Sequence, residues 1–289
     1  MLKREQIRIR DPFILPIQDD GLYYMYGSTD LNTWGGPGTG FDVYSSRDLD
    51  NWEGPFEAFR PESGFWADRN FWAPEVYAYN DRYYMFASFK SEDRCRGTQV
   101  LVAEHPLGPF RTLTDKPVTP EDWECLDGTL YVDADNKPWM VFCHEWIQVQ
   151  DGKMCAIPLT DDLREAAGEP ILLFTASQAP WSAAGKDSLN YVTDGPYLYH
   201  TENGELHMLW SSGSKTGYAI GIARSESGTI EGPWLQDETP LFAEDGGHGM
   251  LFRTFEGQLM LSIHAPNKLT EERAVFIPMT TKDGRLQRS

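Results

Sequence analysis

The chain has 289 residues, with 44 acidic against 25 basic side chains and a formal charge of −19. Its 40% apolar and 24% charged content is that of a folded protein rather than a disordered one, and no apolar run reaches the roughly 18–20 residues of a membrane helix. A surface this acidic repels nucleic-acid phosphates and anionic lipids, so neither nucleic acid nor membrane is an expected partner.

The start of the chain, MLKREQIRIRD, is basic but lacks the apolar stretch of a secretion signal. That predicts a cytoplasmic protein, unless a signal has been removed. Cys95, Cys125, Cys143 and Cys155 form no CxxC pair, so buried free thiols are expected rather than zinc. The unusual feature is the aromatic content, 10 Trp, 13 Tyr and 15 Phe, which can supply both an all-β core and platforms for sugar rings.

Taken in order, the chain repeats one pattern: an apolar strand, a polar turn and an aromatic-rich strand. The copies are DPFILPIQDDGLYYMYGS (Asp11 to Ser28), APEVYAYNDRYYMFAS (Ala73 to Ser88), DGTLYVDADNKPWMVF (Asp127 to Phe142), DGPYLYHTENGELHMLWSS (Asp194 to Ser212) and GHGMLFRTFEGQLMLSIH (Gly247 to His264). Each turn has hairpin chemistry. Between copies lie further apolar strands, three followed by Gly-Pro and an aromatic. Starts spaced by 62, 54, 67 and 53 residues leave room for about four strands per unit. Units of four antiparallel strands at such periods are propeller blades. The sequence therefore predicts an all-β protein, one five-bladed β-propeller domain over residues 1–289. A jelly roll would not explain the fivefold alternation. The longest aperiodic insert, Thr175 to Thr193 with Trp181, is expected to be a loop on the functional face.

The first strand of each blade lines the central channel, so the residues that open it should converge. These are Asp11, the Ala73-Pro74-Glu75 segment, Asp127, Asp194 and His248. Three blades thus offer a carboxylate at what reads as one repeat position. Paired carboxylates across a pocket suit glycoside hydrolysis, one protonated to donate to the leaving oxygen and one ionised to activate water. A third carboxylate can raise the acid's pKa by repulsion. Trp34, Trp66, Trp72, Trp146 and Trp181 are candidate sugar platforms. Glu75 is a candidate for binding sugar hydroxyls or for capping its strand. His144 and Glu145 interrupt an apolar strand and could titrate or bind substrate.

The segments IRDPFI, FWAPEVY, LDGTLY, TDGPYLY and GGHGMLF resemble the blade-opening motifs of family 43 glycoside hydrolases, one motif per blade along essentially the whole chain. The resemblance implies a five-bladed propeller that inverts configuration and releases α-L-arabinofuranosyl, β-D-xylosyl or related residues from plant-type glycans. It implies Asp11 as the base and Asp127 as the carboxylate that tunes the acid. His248 is implied as the channel histidine, beside which a calcium ion is compatible but not required, and Arg273 as a holder of acid or substrate. The departure is at the acid, usually a glutamate before Gly-Pro, where this chain has Asp194. Three readings stay open: Asp194 is the acid, Glu145 replaces it, or the propeller binds carbohydrate without cleaving it.

Overall fold

Each of the five inner strands opens with the same defect. The computed structural model describes residues 1–185, 189–282 and 284–289. In it the inner strands are Arg10–Ile17, Arg69–Tyr79, Cys125–Val132, Asp194–His200 and Gly247–Arg253. Each carries one residue more than its hairpin partner, between Arg10 and Phe13, Trp72 and Glu75, Leu126 and Thr129, Asp194 and Tyr197, and Gly247 and Met250. The bulged residues are Asp11, Ala73, Asp127, Gly195 and His248, all left-handed with φ between 46° and 56°. Four of the five are not glycine, so strain is held at the mouth of the ring by the bonds around it.

Behind each inner strand the chain folds outward as an antiparallel meander. Four sheets have four strands; the first has five because Leu2–Lys3 pairs with its outer strand Asn51–Phe59. The expected hairpin turns are present. In the second blade Asn80 and Asp81 both take positive φ, the two-residue turn whose twist suits a hairpin.

The core lies between the blades. Phe41, Phe59, Phe71 and Phe89 fill the seam between the first two sheets, with the Phe71 and Phe89 rings 4.9 Å apart. Between the third and fourth, Trp181 packs 4.7 Å from Trp210. A Cβ on Gly221 would lie 2.3 Å from the Trp181 ring, so this seam needs the glycine.

The ring closes where the first inner strand meets the fifth. Ile9 N–H donates to the Glu272 carbonyl, and Arg10 pairs with the fully buried Glu272 carboxylate at 3.1 Å. Arg273 donates to the carbonyls of Glu5, Thr270 and Glu272. Among the described residues no helix is long and apolar enough to cross a membrane.

Candidate active site

The bulges are fastened in a circle. Ala73 N–H donates to Ser28 Oγ at 2.9 Å, Asp127 N–H to Ser88 Oγ at 2.8 Å, and His248 N–H to Ser211 Oγ at 2.8 Å. Asp11 N–H donates to His264 Nδ1 at 3.2 Å. Each acceptor sits on the second strand of the preceding blade, opposite the residue before that blade's bulge. In the third blade that position is Cys143, a poor acceptor, and Gly195 N–H turns instead to the Asp127 carboxylate at 2.9 Å. One Ser→Cys difference therefore ties the third blade's acid to the fourth blade's backbone.

The repeat position of Asp11 and Asp127 is shared with Gly195, not with Asp194 as the sequence spacing implied. Asp194 comes one residue earlier, at the position of Arg10, Trp72, Leu126 and Gly247. It reaches the same pocket from a different register.

That pocket, about 340 Å³, is lined by Asp11, Asp127, Asp194, Glu145 and His248, with Trp34, Trp72 and Trp146 on its walls. His248 Nδ1 lies 3.3 Å from Asp11 Oδ1 and 3.6 Å from Asp127 Oδ2. Burial opposes the charge on Asp11, but His248, the hydrogen bond with His264 and Arg10 together outweigh it and hold its carboxyl well below the usual range. Burial, then repulsion by Asp11, pushes Asp127 up to about 8 against the Gly195 hydrogen bond. Burial, then repulsion by Asp127, pushes Asp194 up to about 7, while His248 and the Tyr218 hydroxyl, 2.9 Å from Oδ2, pull the other way. One pocket thus holds an ionised carboxylate and a carboxylic acid that is protonated up to neutral pH.

Glu145 is committed elsewhere: its carboxylate accepts from Arg96 at 3.1 Å, and the Arg96 guanidinium stacks 3.8 Å over Trp72. On the adjoining wall the half-exposed Trp34, which meets Trp72 edge to face at 5.4 Å, stacks on Arg10, itself held by Asn267 and Glu272. Glu75 lies beneath the pocket, bonded by Tyr77 near Thr129, and burial raises it to about 7.

Four residues singled out in the sequence lie elsewhere. His144 is buried, stacked 4.3 Å on Trp123 and bonded to Gln148. Arg273 closes the ring, Trp181 is core, and Trp66 lines a neighbouring cavity. The insert Thr175 to Thr193 borders the pocket through Val192, and its residues 186–188 lie outside the described residues. Sequence reasoning missed Tyr218, His264, Arg10, Arg96 and the serine ring. The serines left a signal, since the first two repeat copies end in Ser and the last ends in His264.

Calcium takes six to eight oxygen ligands. His248 brings nitrogen, and among the described residues no group of three His, Cys, Asp or Glu side chains is placed to hold a metal.

A sequence profile described as "Glycosyl hydrolases family 43" matches residues 6–285. An endo-arabinase from Bacteroides thetaiotaomicron VPI-5482 is 43% identical, with 99% of each chain covered and a TM-score of 0.91. An endo-1,4-beta-xylanase from the same organism (24% identity, 98% and 94% covered, TM-score 0.79) and an alpha-L-arabinofuranosidase from Lactobacillus brevis (17%, 99% and 97%, 0.76) share the fold. Comparison with curated proteins gives no match. Profile, propeller and the carboxylates gathered at its mouth lead to one conclusion: the chain belongs to glycosyl hydrolases family 43 and is a glycoside hydrolase.

Proposed function

We propose that the protein hydrolyses α-L-arabinofuranosyl linkages of arabinan-type glycans with inversion. The observation that carries the chemistry is the divergence of Asp11 and Asp194 within one pocket, the first held ionised and the second protonated to about 7. The likeness to an endo-arabinase at 43% identity supports the substrate class.

In this reading Asp11 takes a proton from a water as the water's oxygen bonds to the anomeric carbon. The glycosidic C–O bond breaks, and Asp194 gives its proton to the departing oxygen. Solvent then returns a proton to Asp194 and removes one from Asp11. Asp127 acts on the acid by holding Gly195, the residue that follows it. Its own proton leaves only at about 8, so it adds little negative charge to the pocket at neutral pH. The stacked walls Arg10–Trp34 and Arg96–Trp72 offer aromatic faces to a neutral sugar.

The test is turnover of linear 1,5-α-arabinan and of 4-nitrophenyl glycosides by wild type and by Asp11→Asn. Arabinan cleavage that disappears in Asp11→Asn is expected. Binding of arabinan without cleavage by wild type would replace this reading with that of a sugar-binding propeller.

A further inference from the structure

Trp66 lies where two cavities meet. One, about 520 Å³, is lined by Trp66, Arg94, Arg96, Lys116 and Glu121; the other, about 530 Å³, shares Trp66 and Arg94 and runs on past Phe65 and Gln99. The Trp66 indole N–H is fixed by Gln99, whose own amide donates to the Thr114 carbonyl, so the half-buried ring is held rigidly at the junction. Nearby, the exposed Arg94 has no hydrogen-bond or ion-pair partner among the described residues.

The first cavity opens on the same end of the ring as the catalytic pocket. In the second blade Arg69 pairs with Lys90 and Phe89 with Gly97, which puts residues 91–96 at the end where Trp72 stands. Arg96 is the wall between the two spaces. It lines this cavity, yet it stacks on Trp72 and pairs with Glu145, both in the catalytic pocket. The buried Arg96 also keeps Nη1 without a partner.

We propose a second glycan-binding site, centred on Trp66 with Arg94, for a neutral polysaccharide segment beyond the linkage being cleaved. The inference rests on the reading of this chain as a polysaccharide hydrolase. The chemistry favours a neutral ligand, because two of the three cations lining the first cavity are matched, Lys116 with Glu121 at 2.8 Å and Arg96 with Glu145, and the acidic Asp93 lines the same space as Arg94. A flat aromatic ring beside a free guanidinium suits a sugar ring and its hydroxyls.

The test is native electrophoresis of the Asp11→Asn protein through gels containing linear arabinan, neutral xylan or polygalacturonate. Trp66→Ala and Arg94→Ala are each added to that background. Retardation by a neutral polysaccharide is expected to weaken roughly tenfold with Trp66→Ala and about threefold with Arg94→Ala. Arg94 is exposed and unpaired, so its loss leaves the fold intact. Equal retardation of all three proteins in the neutral gels, retardation only by polygalacturonate, or none at all would overturn the site. Trp66-dependent retardation together with failure of the wild type to cleave arabinan would leave the site standing and remove the proposed activity.

Discussion

The Asp127 carboxylate accepts the Gly195 N–H at 2.9 Å, so the acid of the third blade is fastened to the residue that follows Asp194. Two carboxyl groups that sequence spacing treats as equivalent are in fact consecutive parts of one device. Asp127 occupies a bulge, and Asp194 precedes the bulge that Asp127 holds.

Asp194 is expected to matter in proportion to how much its proton is needed. Asp194→Asn should lower kcat/KM on arabinan roughly 10²–10⁴-fold and should cost far less on an aryl glycoside with a 2,4-dinitrophenyl leaving group, which departs without protonation. Steady-state kinetics on the two substrates checks this, and equal losses would remove Asp194 from the acid's role.

The pH profile should respond to Tyr218. Its hydroxyl donates to Asp194 and favours the ionised form, so it pulls the acid's pKa down from where burial would set it. Wild-type kcat/KM should fall above about 7. Tyr218→Phe should move that alkaline limb upward while leaving the acidic limb, governed by Asp11, in place. A downward shift would contradict the assignment.

Asp127 should make stability depend on pH in a direction opposite to Asp11. Its folded pKa, raised to about 8, lies above that of the unfolded chain. The stability it contributes is therefore fully present below about 4 and is lost as pH rises through 8. Asp127→Asn keeps an acceptor for Gly195 without a charge to bury. Denaturant titrations should show this variant gaining on wild type from pH 4 to pH 8, and a constant difference would count against the shift.

The serine ring should carry measurable stability. Ser88→Ala leaves the buried Asp127 N–H without its acceptor and should cost about 1–3 kcal/mol. Urea unfolding measures it. Ser212→Ala serves as the comparison, since Ser212 bonds the Val192 carbonyl and not a bulge.

The propeller was legible because blades repeat both a hairpin and a motif, and turn residues such as Asn80-Asp81 mark where each strand reverses. Asp11, Asp127, Asp194 and His248 converge because the ring brings blade openings together. What spacing could not show was register. A one-residue bulge separates Asp194 from the position it resembles, and such an offset appears only once strands are paired. Trp66, His144 and Arg273 illustrate a second limit: side-chain chemistry near a motif does not say which cavity or seam the chain turns it toward. Tyr218 and His264 were missed because they come from strands outside the inner openings and act only through contacts across blades.

The most direct test of the central claim, that Asp11 activates water across from a protonated Asp194, is proton NMR of the sugar anomer first released from linear arabinan. The account predicts the β-anomer of arabinose or of the new reducing end before mutarotation. Initial appearance of the α-anomer, retention of configuration, would contradict it.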